Sequence, residues 1–73
     1  VITAYPFQLK VRTALGVSYH ANKDYALARE QYKAVLEHEP YDQTIWHNLS
    51  KVQTALNDLE DAKASLDKAI TLD

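Results

Sequence analysis

The chain repeats itself with a fixed period, and this period constrains the fold more than any other feature of the sequence. A shift of 34 positions aligns several identical residues: Pro6 with Pro40, Leu15 with Leu49, Ala21 with Ala55, Asp24 with Asp58, and Ala28 with Ala62. Residues of one class also align, as Phe7 does with Tyr41 and Val11 with Ile45. Fixed periods of about 20 to 50 residues are typical of arrays in which each unit packs on its neighbours. The sequence therefore predicts a stacked array.

Within each unit, apolar residues recur at intervals of three and four, as Val11, Leu15 and Tyr19 do. This spacing places apolar side chains on one face of a helix. The pattern predicts four helices, over residues 8 to 22, 25 to 39, 42 to 56 and 59 to 72. The fold class is therefore all-α, built from helix-turn-helix repeats.

The turns inside the two units carry residues suited to ending one helix and starting the next. Asp24 and Asp58 stand where the second helix of each unit begins, and each carboxylate is expected to accept hydrogen bonds from first-turn amides. Asn57 suits the left-handed conformation of a tight turn, whereas Lys23 at the equivalent position has a modest steric cost. The sequence therefore predicts the same turn twice.

The repeat register divides the chain into one domain with three segments. Residues 1–8 are expected to form the end of a preceding unit or a leader, residues 9–42 the first repeat, and residues 43–73 a second repeat that stops before its terminal proline. Pro6 and Pro40 close units, because proline cannot extend the helix behind it. A first residue other than Met and a register that starts within a unit indicate a piece of a longer protein.

Composition excludes several classes of function. A chain of 73 residues buries too little surface for a large catalytic cleft. The absence of cysteine excludes disulfides and zinc-thiolate sites, and a formal net charge of −2 argues against nucleic acid as a partner. The apolar stretches are too short for a signal peptide or for a membrane span, so no membrane partner is expected. No feature of the sequence indicates a compartment.

The polar residues do not form a recognisable catalytic or metal-binding pattern. Ser18, Ser50 and Ser65 lack a paired histidine and carboxylate, and the sequence has no glycine-rich phosphate loop. His20 and His47 fall about two helical turns apart on neighbouring helices, near 10 Å, without a third ligand. We therefore expect no enzymatic activity, no cofactor and no metal.

The residues at fixed places in the repeat period resemble the tetratricopeptide repeat, whose signature combines a Trp, a Leu-Gly pair, a Tyr, small alanines, a large apolar residue and a terminal Pro. The first unit supplies Leu15, Gly16, Tyr19, Tyr25, Ala28, Tyr32 and Pro40, and the second supplies Trp46, Leu49, Leu59, Ala62, Leu66 and Ala69. Three positions depart from the signature: Arg12 replaces the aromatic residue, Ser50 the glycine and Gln53 the tyrosine. The small residues are expected to let neighbouring helix backbones approach closely.

The resemblance implies a short right-handed α-solenoid and a non-catalytic scaffold for protein contacts. In this family the first helices of successive units line a concave groove that binds a peptide or a partner helix. The positions of this chain that match the groove are Lys10, Thr13, Val17, His20, Thr44, His47, Asn48, Lys51 and Thr54.

The charge of the first helices suggests which ligand the groove takes. Residues 9–22 and 43–56 contain Lys10, Arg12 and Lys51 and no Asp or Glu, a net charge of +3, and the rest of the chain carries −5. This asymmetry favours an acidic ligand or a C-terminal carboxylate. Some relatives clamp a terminal carboxylate with a larger set of Lys and Asn residues, of which only Asn48 is matched here.

Two other functions stay open from the sequence alone. Leu66, Ile70 and Leu72 should present apolar surface unless another element packs on them. The chain could therefore serve as a structural module that self-assembles, for example as a homodimer through residues 66–72. It could also be the targeting domain of a larger enzyme.

Overall fold

The structure, a computed structural model, describes the backbone of residues 4–72 and the side chains of residues 8–72. It contains four helices in this part of the chain, α1 (Ala4–Ala21), α2 (Tyr25–His38), α3 (Gln43–Ala55) and α4 (Leu59–Leu72). The all-α fold predicted from the spacing of apolar residues is therefore confirmed. The observed ends of α2, α3 and α4 lie within one residue of the predicted ones.

The start of α1 differs from the prediction. The helix begins at Ala4, well before the expected start at residue 8, so Pro6 lies in its first turn. The first turn accepts proline because the amides there have no partner within the helix. Residues 1–3 and residue 73, which were assigned to the outer units, lie outside the described residues. The division at residues 9 and 43 stays a prediction.

The helices pack in chain order, α1 on α2, α2 on α3 and α3 on α4. The buried core lies between α2 and α3, and partly buried Tyr19, Tyr25 and Trp46 pack around it. Its members are Ala28, Tyr32, Val35 and Leu36 from α2 and Ile45, Leu49 and Val52 from α3. The apolar core therefore joins the second helix of one unit to the first helix of the next, as in a stacked array.

The two turns inside the units have the same geometry, as the repeat predicts. Lys23 and Asn57 both adopt the left-handed conformation, with φ of 66° and 67°. After each of them the backbone amide of the next residue, Asp24 or Asp58, donates to a carbonyl five positions earlier at 2.8 Å. This pairing satisfies a carbonyl that the end of a helix would otherwise leave unpaired.

The capping role expected for Asp24 is wrong. Its side chain makes no capping hydrogen bond to α2 and accepts one from Asn22 Nδ2 at 2.9 Å instead. Asp58 Oδ2 accepts a hydrogen bond from Arg29 Nη1 of α2 at 2.9 Å, which links the two units. The side chain of Asp42 does cap its helix, because it accepts from the backbone amide of Ile45 at 3.2 Å.

Gly16 and Tyr32 determine how closely α1 and α2 approach. A Cβ atom placed on Gly16 would lie 2.7 Å from Cε1 of the Tyr32 ring, nearer than real Cβ atoms come to such an atom. The ring itself is fully buried, and its hydroxyl has no hydrogen-bond partner among the described residues. Burial raises the pKa of the Tyr32 hydroxyl, because the phenolate would be poorly solvated there.

Replacing Tyr32 by phenylalanine should raise the free energy of unfolding by about 1 kcal/mol at neutral pH, because it removes a buried hydroxyl without a partner. The natural chain should lose stability above about pH 10, where the unfolded tyrosine releases its proton while the folded one, with its raised pKa, still holds it. The Tyr32→Phe variant should lose less stability over the same pH range. Urea unfolding followed by circular dichroism between pH 7 and pH 11 measures both effects.

Tyr41→Phe is the matched control for this experiment, because the Tyr41 side chain is exposed. It should leave both the neutral stability and the alkaline loss close to those of the natural chain. An equal alkaline loss in the Tyr32→Phe variant and the natural chain would contradict the assignment of that loss to Tyr32.

Candidate binding surfaces

The nine predicted groove residues all lie on α1 and α3, which carry no Asp or Glu. Thr13, His20 and Asn48 are half-buried. The other six are exposed, namely Lys10, Val17, Thr44, His47, Lys51 and Thr54. Most of the set is therefore accessible to a ligand.

Two of these residues, Lys10 and Thr13, line a cleft of about 420 Å³ where α1 meets the end of α2 and the start of α3. Val35 lines the same cleft, together with the carboxylate-bearing residues Glu39 and Asp42. The lysine on this side is therefore accompanied by two acidic side chains, which lower the positive potential that its own charge creates.

Thr44 and His47 line a second cleft, of about 400 Å³, between α3 and α4. Leu66 and Ile70 of α4 form its apolar wall. Four lining positions of this cleft match four of the first cleft after the shift by one repeat period: Gln43 with Leu9, Thr44 with Lys10, His47 with Thr13, and Ala69 with Val35. The sequence repeat is therefore also a repeat of clefts.

Several polar side chains on α1 and α3 already have partners within the chain. The His20 ring lies edge-on against Tyr25, with ring centroids 5.8 Å apart. Thr54 Oγ1 donates to the carbonyl oxygen of Ser50 at 2.8 Å, and Arg12 Nη1 donates to Gln31 Oε1 of α2 at 3.2 Å. Arg12, which sequence analysis counted in the charge of the first helices, is thus directed toward α2.

A larger cleft, of about 500 Å³, is formed by α2, α3 and α4 together, and the spacing of residues did not indicate it. Its lining residues are Lys33, Leu36, Glu37, Trp46, Leu49, Gln53, Asp61, Ala64, Ser65 and Lys68. Trp46 is held there by a hydrogen bond from its Nε1 to the carbonyl oxygen of Pro40 at 2.7 Å. The small side chains of Ala64 and Ser65 were the available signal, because they leave room on α4 beside the tryptophan.

The residues predicted to pack the repeats differ in burial according to their place in the array. Those that the structure buries are Gly16, Ala28, Tyr32, Leu49, Ala62 and Ala69. Tyr19, Tyr25 and Trp46 are half-buried, whereas Leu15, Pro40, Leu59 and Leu66 are exposed. Leu15 lies on α1 and Leu59 and Leu66 on α4, the two outermost helices. Residues at signature positions are therefore buried only where a neighbouring helix covers them.

Metal-binding clusters and membrane-spanning helices are both absent from the part of the chain that the structure describes. Among those residues, no three His, Asp or Glu side chains come together as ligands for a metal ion. None of the described helices combines the length and the apolar character needed to cross a membrane.

Comparison with known proteins identifies the family. A family model described as tetratricopeptide repeat matches residues 19–72, which is most of the chain. No curated protein and no solved structure matches it significantly. Tetratricopeptide repeats generally mediate protein–protein interaction and are typically non-catalytic scaffolds. Together with the four packed helices and the repeated turns, the match shows that the chain belongs to the tetratricopeptide repeat family.

Proposed function

We propose that this chain is a non-catalytic scaffold that binds a peptide along the face formed by α1 and α3. The observation that carries the proposal is the distribution of charge: all ten acidic residues lie outside these two helices. Exposed groove positions on both helices supply hydrogen-bonding groups and cations without a competing carboxylate on the same helix. A peptide laid across them would contact both repeats.

The ligand we propose is an acidic segment or a C-terminal carboxylate. Lys51 is the cation best placed for it, because it is exposed and lies on α3, whereas Lys10 shares its cleft with Glu39 and Asp42. Half-buried Asn48 lies three positions before Lys51, so the two side chains share one side of the helix. An amide and an ammonium on one side of a helix can donate to the same carboxylate.

The cleft around Trp46 is the competing surface for a peptide. It is the larger one, and its rim combines Lys33 and Lys68 with Glu37 and Asp61, so it has no net charge. A ligand held there would be chosen by apolar contact with Trp46 and not by charge. The two surfaces therefore differ in the peptide that each prefers.

The test of this function is titration of the ¹⁵N-labelled chain with acidic and basic peptides, each with a free and an amidated C-terminus. We expect saturable amide shifts at Lys10, His47 and Lys51 with the acidic peptides only. Lys51→Gln should weaken the binding of the acidic peptide about fivefold, and added salt should weaken it further, because the attraction is screened.

Lys68→Gln is the matched control, because it removes the same charge from α4 at the cleft around Trp46. It should leave the affinity for the acidic peptide unchanged. Shifts that centre on Trp46 and respond to Lys68→Gln would overturn the proposed face and assign the peptide to the larger cleft. Equal binding of the acidic and basic peptides would overturn the proposed ligand.

A further inference from the structure

The apolar surface that Leu66 and Ile70 form on α4 is the exposed counterpart of a buried surface on α2. Tyr32 and Leu36 of α2 are at most 7% exposed, because both belong to the core with α3 and Tyr32 also lies against Gly16 of α1. Their equivalents in the second unit, Leu66 and Ile70, are 41% and 64% exposed. The repeat therefore presents on α4 the apolar surface that receives a helix in the first unit.

The outer face of α1 is exposed in the complementary way. Ile45 and Leu49 of α3 are each 2% exposed, because they pack on α2. Their equivalents in the first unit, Val11 and Leu15, are 42% and 39% exposed. We call the exposed apolar surface of Leu66 and Ile70 on α4 the receiving face. The exposed apolar surface of Val11 and Leu15 on α1 is the inserting face.

We propose that two copies of this chain associate head to tail, with α1 of the second copy packed on α4 of the first as α3 packs on α2. The packing of α2 against α3 within the chain is the template. After the shift by one repeat period, four of its core positions stay apolar, as Leu66, Ile70, Val11 and Leu15, whereas Val52 is replaced by Ser18. This inference does not depend on the proposed peptide-binding face.

Charge supports the second copy as the occupant of α4. In the template, Arg29 of α2 pairs with Asp58 at 2.9 Å. The shift by one period turns this pair into Lys63 of the first copy and Asp24 of the second, and both are exposed. Opposite charges thus recur where the template has its ion pair. Pairing of this kind favours one register of association over others.

A second charge pair would form between the two copies, at the position that corresponds to the cleft around Trp46. In the template, Lys33 and Trp46 line this cleft together. The same shift replaces them with Asp67 of the first copy and Arg12 of the second, which again have opposite charge. Two charge pairs and two apolar faces therefore agree on a single register.

Head-to-tail contact uses two different surfaces of each copy, so each end of an assembled pair can add another copy. The natural chain should therefore associate beyond a dimer as its concentration rises. Sedimentation velocity of the 73-residue chain over a range of concentrations measures this. A chain that stays monomeric to about millimolar concentration, where even weak contacts are populated, would overturn the proposal.

Two variants that each block one face provide the sharpest test. Ile70→Asp places a charge on the receiving face and Val11→Asp places one on the inserting face, and both sites are exposed enough for the fold to accept the change. Each variant alone should be unable to grow beyond a monomer. Mixed in equal amounts they should form a dimer and no larger species, because each supplies the face that the other lacks.

Other results of the mixing experiment would overturn the proposal. One such result is that the Val11→Asp variant alone still forms a dimer while mixing it with Ile70→Asp gives no additional dimer. In that case the two copies contact each other through α4 of each copy. If neither variant changes the association of the natural chain, the contact lies on another surface. Circular dichroism of each variant at low concentration verifies that the fold is retained.

Charge reversal tests the register. Lys63→Asp should weaken association about tenfold, because it places two carboxylates opposite each other. Adding Asp24→Lys to the same chain should restore it, since every contact then has one cation and one anion again. Failure of the double variant to recover, with its fold intact, would overturn the register.

Discussion

Replacing Leu49 by alanine should lower the free energy of unfolding by about 2 to 5 kcal/mol, whereas Leu15→Ala should cost less than about 1 kcal/mol. The two residues have the same side chain and the same position in the repeat, but Leu49 is buried in the core between α2 and α3 and Leu15 is exposed on α1. A whole domain of this size is stabilised by only about 4 to 11 kcal/mol, so Leu49→Ala removes a large share.

Chemical denaturation of both variants at low concentration, where the proposed head-to-tail contacts would not be populated, measures the difference. Similar losses for Leu15→Ala and Leu49→Ala would contradict it, because they would mean that the signature position, and not its burial by a neighbour, determines the energy. Unchanged denaturant slopes would show that both variants unfold from the same compact state.

Replacing Gly16 by serine should lower the free energy of unfolding by about 1 to 3 kcal/mol, because the new Cβ atom would overlap the ring of Tyr32. The ring is rigid and fully buried, so it cannot swing away without disturbing the core. The second repeat has serine at the equivalent position, Ser50, and there the aromatic ring is replaced by Leu66. Within this chain, glycine at this position therefore occurs with tyrosine and serine occurs with leucine.

The double variant Gly16→Ser, Tyr32→Leu should be more stable than the sum of the two single losses predicts, because the smaller side chain leaves space for the Cβ atom. A double-mutant cycle by urea unfolding measures this coupling. Gly16→Ser with Tyr32→Phe is the control, because phenylalanine keeps the ring carbons that the Cβ atom would meet. Strictly additive losses in the leucine cycle would show that the close approach is not limiting.

The repeat period was enough to predict the four helices, apart from the start of α1, and the backbone of the two turns inside the units. Each helix is long enough to show three- and four-residue spacing, and the left-handed conformations at Lys23 and Asn57 recur because the repeat places one turn residue at the same point in both units. The tetratricopeptide resemblance was confirmed for the same reason, since its signature is a set of spacings.

The hydrogen-bond partner that each polar side chain takes could not be predicted from the spacing of residues in the sequence. Asp24 stands at a capping position but its side chain accepts from Asn22, and Gln53, which replaces the signature tyrosine, is buried and accepts from Ser65 Oγ at 2.7 Å. Such choices depend on which donor the folded chain brings nearest. The cleft beside Trp46 was missed for a related reason, because its volume depends on the small residues of a different helix.

The groove residues are a harder case, because exposure does not by itself show a ligand. The spacing placed all nine on α1 and α3, but it gave no sign that Lys10 would share a cleft with Glu39 and Asp42. Those two carboxylates follow α2 in sequence and reach the cleft only because the chain turns there toward α3. Their proximity is a result of tertiary structure.

The position of the core also separates the unit that repeats in the sequence from the unit that folds. The core joins α2 to α3, which belong to different repeats, so a fragment cut at Pro40 would divide this core between two pieces. The residues that match the family, 19–72, begin near the end of α1 and keep α2, α3 and α4 together. A boundary between α1 and α2, half a period away from the repeat boundaries, would keep this core whole but uncover the Tyr32 ring where Gly16 lies against it. Protein engineers who shorten or recombine this chain should therefore expect a loss of packing at either boundary.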